Sequence, residues 1–328
     1  MDDGASAPRV LCLGEALVDR LGPLGGDPAV DQPVDDRLGG APANVACALA
    51  RLGTPVDFLG RLGDDAIGAS FQQLFEARGV GQRGVQQDSQ RPTRIVLVRR
   101  TAAGERVFQG FAGDRGSGFA DQAFTQKQLE QSWLSLASSA QWLLIGTIPL
   151  ATAASAATLQ WVVEQAKQQR IAIGLDVNWR PTFWDPDADP ASGPTDAAIA
   201  AIRPLMEQAS LIKLAREEAL WFCNTDDPAV ISAGLPQQPA VVVTDGAQPV
   251  RCCIADQTLT MPVLSPAKVV DTTGAGDAFT AGLLHCWNRP VAERLRFAAA
   301  CGALVCAAAG AIDPQPTQAE AEAFGLNN

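Results

Sequence analysis

The sequence predicts an α/β chain: a mostly parallel twisted sheet covered by helices on both faces, with a small β lid attached. Three observations predict it. Short apolar runs of strand length alternate with longer stretches of helical periodicity. Glycines stand where two of the helical stretches should stop, at Gly53 and Gly79. Two β-like runs between residues 93 and 109 break the alternation and read as a hairpin that need not join the main sheet.

Taken in order, Val10–Gly14 reads as a buried strand. Ala43–Arg51 reads as a helix, with Val45, Leu49 and Leu52 on one face. Val56–Gly60 is the next strand, and Asp65–Arg78 carries Ile67, Phe71, Leu74 and Phe75 at helical spacing. The hairpin follows, Arg94–Arg99 and Arg106–Gln109 around a turn at Ala102–Gly104. Alternation then resumes with strand Trp142–Gly146, helix Ala151–Gln168, strand Ile171–Asp176, helix Asp196–Gln208 and strands Leu211–Leu214 and Ala240–Thr244. Trp184–Pro194, rich in Asp, Pro and Gly, reads as a loop. A second two-stranded unit, Arg251–Ile254 with Thr258–Met261, precedes helices over Ala275–Trp287 and Val291–Ala309. The whole is expected to be one domain over residues 1–328, with lid strands within about 15–40 and 93–112.

Bulk properties remove several classes of function. With 47% hydrophobic and 19% charged residues the chain has the profile of a packed protein. A formal net charge of -11 argues against a broad surface for nucleic acid or anionic membrane, both polyanions. No apolar run approaches the ~18 to 20 residues that span a bilayer, and Met1–Pro8 is acidic and small, unlike a basic leader; a cytoplasmic location is expected. Cys12, Cys47, Cys223, Cys286, Cys301 and Cys306 fall in apolar segments and no CxxC pair exists, so the cysteines read as small buried hydrophobes. Cys252 and Cys253 should point to opposite faces of a strand. The single histidine, His285, lies on an apolar helix, which removes most Ser-His-Asp and His-metal chemistry.

The richest segment is Val270-Asp271-Thr272-Thr273-Gly274-Ala275-Gly276-Asp277-Ala278-Phe279, ahead of an Ala- and Leu-rich helix. Two glycines flanking one small residue let backbone N–H groups converge, and the helix aims its positive end at the same point. Such an anion hole suits a phosphoryl group in transfer, whose charge spreads over its equatorial oxygens. Asp277, in the first helical turn, is placed to take the proton of an acceptor hydroxyl. The segment is not a Walker loop, because the GxxxxGK[ST] lysine is missing.

The string DTTGAGDAF resembles the C-terminal motif of the ribokinase-like (PfkB) carbohydrate kinase family. Gly39-Gly40-Ala41-Pro42-Ala43-Asn44-Val45-Ala46 is similar to its second motif. The resemblance covers nearly the whole chain, from Gly14-Glu15 to Gly310, and implies the ribokinase-like fold with ATP as donor and magnesium as its companion ion. It further implies Gly274, Ala275 and Gly276 as the anion hole, the two glycines also touching ATP, and Asp277 as catalytic base. Gly39, Gly40, Asn44 and Asp19 are implied as sugar contacts, and glycines with an amide and a carboxylate do suit close approach to hydroxyls. Asp176-Val177-Asn178-Trp179-Arg180, followed by Trp184, looks like the DxNxRxxxW stretch of fructokinase-type members, which adds Asp176, Asn178 and Arg180.

Lys213 to Glu218 is similar to the element K-x-[NS]-x-x-E, with Lys213 toward ATP, Glu218 indirectly toward magnesium and Ala215 in the polar place. Thr244 and Gly246 fit a nucleotide loop TxGxxG, in which Gln248-Pro249 replaces the second glycine. Asp271 and Thr273 fall where some relatives bind potassium. Phe108–Asp114 is expected to close over the sugar and exclude water, and a homodimer through the lid is expected. The implied reaction is phosphorylation of fructose to fructose 6-phosphate. Two alternatives are a 2-keto-3-deoxygluconate kinase and a non-catalytic sugar- or nucleotide-binding regulator that has kept the fold.

Overall fold

The computed structural model describes residues 9–33, 35–101 and 106–327. The expected turn at 102–104 and the Met1–Pro8 stretch lie outside the described residues. In chain order the first half comprises β1 (Val10–Leu13), β2 (Leu17–Leu24), β3 (Asp35–Gly39), α1 (Ala41–Arg51), β4 (Val56–Gly63), α2 (Ala66–Arg78), β5 (Gly81–Asp88), β6 (Ile95–Arg100), β7 (Arg106–Ala112), α3 (Gln126–Ala137), β8 (Trp142–Ile145) and α4 (Ala153–Gln168). The second comprises β9 (Ala172–Asp176), α5 (Pro181–Trp184), α6 (Asp196–Gln208), β10 (Leu211–Ala215), α7 (Arg216–Cys223), α8 (Pro228–Ala233), β11 (Ala240–Asp245), β12 (Gln248–Ile254), β13 (Gln257–Met261), α9 (Ala275–His285), α10 (Val291–Val305) and α11 (Gln318–Asn327).

Nine strands form the main sheet in the order β13-β12-β11-β10-β9-β8-β1-β4-β5. Every pair from β5 to β11 is parallel, and β12 and β13 add an antiparallel edge. Strand alternation explains why both faces are covered. In β1, Val10 and Cys12 join one apolar core while Leu11 and Leu13 join another. The first core packs α1, α2, α9 and α10 on one face, and the second packs α3, α4 and α6 on the other. Cys252 is buried and Cys253 half-buried, as adjacent strand residues on opposite faces should be.

The helix ends follow local chemistry. Asp65 accepts the N–H of Gly68 and starts α2, and Gly79, with φ 77, stops it. Helix α1 starts two residues before the expected Ala43, because Pro42 fits the first turn, where no N–H is needed. Helix α10 ends at Val305 rather than Ala309. Strand β5 was absent from the periodicity reading because GQRGVQQD is mostly polar, as an edge strand permits.

The lid is a separate four-stranded sheet, β3-β2-β6-β7. Strands β2 and β3 are antiparallel, β2 and β6 parallel, and β6 and β7 antiparallel. Its own small core is Val18, Ile95 and Leu97. The lid overhangs the carboxyl ends of the parallel strands, the edge of an α/β sheet where ligands gather. Among the described residues no helix is long and apolar enough to cross a membrane.

Candidate active site

A cleft of about 550 Å³ lies between the lid and the carboxyl edge of the sheet. Its wall includes Asp19, Gly40, Asn44, Asn178, Arg180, Lys213, Glu218, Thr273, Gly274, Gly276 and Asp277. Most of the residues singled out from the sequence therefore meet in one place.

The turn before α9 is shaped by Gly274, whose φ is 77 and on which an added Cβ would lie 2.5 Å from the Cβ of Ala311. Only glycine fits there. The N-terminus of α9 then points into the cleft, presenting the donors that a helix cannot satisfy internally. The N–H of Ala275 donates to the carbonyl of Thr272 at 3.2 Å and helps to close the turn, whose Gly274 and Gly276 line the cleft.

Asp277 sits in the first turn of α9 and accepts a hydrogen bond from Asn44 Nδ2 at 2.8 Å. Burial raises its carboxyl pKa to about 6; the neighbouring Asp176 charge adds to the rise, while the Asn44 bond and the Lys213 and Arg180 charges pull the other way. A carboxylate near that value is mostly ionised at neutral pH yet basic enough to accept a proton.

Asn44 is buried, and its Oδ1 has no hydrogen-bond partner among the described residues. An added Cβ on Gly39 would sit 3.8 Å from both that oxygen and Asp19 Oδ2. Two acceptors thus flank one point, and a buried acceptor left without a donor is what a ligand hydroxyl would satisfy. Asn44 does not cap its helix: the N-cap is Gly40, with φ 100, where an added Cβ would lie 2.7 Å from the carbonyl oxygen of Glu15. Asp19 lies within β2 and is not a turn residue.

Asp176 is buried at the end of β9, where both carboxylate oxygens hold Lys213 Nζ at 2.9 and 3.0 Å and Oδ2 accepts from Thr280 at 3.2 Å. Strand register causes this, because Lys213 on β10 is the direct neighbour of Asp176. Asp176 holds the lysine and lines a small pocket that shares Glu15, Ala41 and Asn178 with the cleft, and Asn178 and Arg180 reach the cleft wall. Burial works against the Lys213 charge, but Asp176 and Glu218 outweigh it and hold the pKa above the usual lysine value.

Glu218 is buried and joins two segments, Oε1 accepting from Trp179 N–H at 2.6 Å and Oε2 from Ala215 N–H at 2.7 Å. Among the described residues no group of three His, Cys, Asp or Glu is placed to hold a metal directly. Asp271 staples the turn: Oδ1 accepts from Thr273 N–H at 3.1 Å and Oγ1 at 2.7 Å, and Oδ2 accepts from Gly310 N–H at 2.9 Å.

Thr244 and Gly246 are not brought to the cleft. Strands β11 and β12 close tightly, Asp245 pairing with Gln248, and Thr244 Oγ1 turns to the carbonyl of Leu214 at 3.5 Å. His285 is packed, bonded to Thr54 Oγ1 at 2.7 Å and stacked on Phe297.

The pfkB family carbohydrate kinase model matches residues 7–318. The chain belongs to this family. As a pfkB family carbohydrate kinase it is an ATP-dependent sugar kinase with the ribokinase-like fold. It is 32% identical to a probable chloroplastic fructokinase-6 of Arabidopsis thaliana, over 96% of this chain and 82% of that one. A fructokinase from Xylella fastidiosa solved with bound ATP superposes at a TM-score of 0.80, with 28% identity, 97% of this chain and 98% of that one covered. A fructokinase double mutant from Vibrio cholerae O395, solved with fructose, ADP and potassium ion, gives a TM-score of 0.77 at 27% identity, covering 97% and 98%.

Two features of this kinase site escaped sequence reasoning. Glu15 is buried at the cleft floor, accepts from Ala41 N–H at 3.1 Å and is raised to a pKa of about 8, chiefly by burial. Arg94 is buried against Asp121 at 3.0 and 3.1 Å, its guanidinium 4.5 to 4.8 Å from the ring centres of Phe111, Phe119 and Phe183. The only sequence signal for either was the position of Glu15 beside Gly14 at the end of β1.

Proposed function

We propose that the chain transfers the γ-phosphoryl group of ATP to a primary hydroxyl of a ketohexose, converting fructose to fructose 6-phosphate. The observation that carries this is the buried Oδ1 of Asn44, without a hydrogen-bond partner among the described residues, near Asp19 Oδ2, while Nδ2 of the same amide holds Asp277 in the first turn of α9. In this reading Asp19 and Asn44 accept hydrogen bonds from sugar hydroxyls, and Asn178 and Arg180 bound the other side. Asp277 takes the proton of the acceptor hydroxyl as the hydroxyl oxygen attacks the γ-phosphorus, and the bond from that phosphorus to the β,γ-bridging oxygen breaks to release ADP. The amides of Gly274 and Gly276, with Lys213 nearby, face the charge that develops on the phosphoryl oxygens. Phe108, Val96 and Leu17 of the lid keep water from competing.

Magnesium neutralises phosphate charge when bound with ATP, and Glu218 would meet its water shell. Choice of fructose rests on the named relatives and on Asn178 and Arg180. The proposal includes a cytoplasmic location and a dimer through the lid, where Leu24 and Val107 are exposed apolar residues; light scattering tests the dimer. The deciding experiment is an ADP-release screen with magnesium and ATP over fructose, other sugars and 2-keto-3-deoxygluconate. Fructose-dependent release that Asp277→Asn abolishes supports the reading. Preference for the sugar acid would replace it, and binding without turnover would make the chain a regulator.

A further inference from the structure

The loop before α9 faces a cation supplied by the protein. Arg37 lies on β3 directly opposite Asp19 on β2, so both side chains leave the same face of the lid sheet. Its Nε donates to Asp35 Oδ2 at 2.6 Å, and its Nη1 lies 3.6 Å from Asp271 Oδ2. That Nη1 is buried and makes no hydrogen bond among the described residues, where the Asp271 carboxylate charge compensates it. Gly310 closes the other side, since an added Cβ there would sit 3.4 Å from Nη1.

A potassium ion at Asp271 and Thr273 does not fit this arrangement. Oδ1 of Asp271 is taken by two donors from Thr273, and Oδ2 by the N–H of Gly310. The remaining approach to Oδ2 meets the guanidinium, and two like charges on one carboxylate oxygen repel. We propose that Arg37 supplies the positive charge this loop uses, so that the kinase holds no monovalent cation at Asp271 and Thr273 and does not respond to potassium. The inference rests on the reading of the Gly274 turn as the anion hole, because Asp271 is what holds that turn in shape. It also makes the lid a partner of the hole: lifting β3 withdraws the charge from Asp271.

The test begins with wild-type protein freed of alkali cations. Its melting temperature in potassium chloride should equal that in choline chloride of the same ionic strength, and titration with thallium(I) should show no saturable site. Removing the guanidinium in Arg37→Ala should open the site. Potassium at roughly ten times its Kd should then raise the melting temperature by about 2 °C over choline, and kcat should become potassium-dependent. A potassium-specific shift or saturable thallium binding in wild type overturns the proposal, as does an Arg37→Ala variant that folds yet ignores potassium. If Arg37→Ala does not fold, the wild-type arm decides alone. Melting and thallium binding do not depend on which sugar is phosphorylated, so a failed fructose assay leaves this test intact.

Discussion

Replacing Asp277 with asparagine tests the chemistry most directly. The side chain keeps its shape, and its remaining oxygen can still accept from Asn44 Nδ2, which lies 2.8 Å from the carboxylate. Sugar binding through Asp19 and Asn44 Oδ1 is therefore retained, and the lost element is the proton acceptor. A positioned base contributes on the order of 10²- to 10⁴-fold, so kcat should fall by about that factor while KM for the sugar changes by less than about threefold. The wild type should show the matching pH dependence. With a carboxyl pKa raised to about 6, the base is protonated below that value, and kcat/KM should drop about tenfold per pH unit on the acid side. The assay is coupled ADP release from pH 5 to 8. A variant retaining more than about a tenth of wild-type kcat, or a flat wild-type profile, would refute the assignment of Asp277 as base.

Three further outcomes follow from neighbouring contacts. Asn44→Ala removes a hydroxyl acceptor and the bond that lowers the Asp277 pKa, so KM for the sugar should rise by roughly tenfold and the acid limb should move to higher pH; an unmoved limb would show that the bond is absent in solution. Asp176→Asn leaves Lys213 without its buried partner and should destabilise the fold by roughly 3–5 kcal/mol in urea unfolding, a loss that a merely sugar-contacting residue would not produce. Glu15 binds its proton more tightly folded than unfolded, so its contribution weakens stability as pH rises from the unfolded carboxylate range to about 8. Glu15→Gln should consequently melt higher than wild type at pH 8 and lose that advantage at pH 4; equal melting curves at both would contradict the raised pKa.

The parts of this site legible in the sequence are those made by consecutive residues. Gly274 to Asp277 form one turn and one helix start, and Gly39 to Asn44 form another, so the local string is nearly the whole structure. The Asp176–Lys213 pair was not legible because it is set across the sheet: the two lie 37 positions apart and become neighbours only through the β9–β10 register. Nothing in DxNxR reports that pairing. Glu15, Arg37 and the Arg94–Asp121 pair depend on how the lid docks, which periodicity does not report. The same logic separates the two claims about charge in this site. The base is written into one helix and would survive a moved lid, whereas the cation at Asp271 exists only while β3 lies against the loop. Mutations that loosen the lid should therefore weaken the anion hole before they alter Asp277.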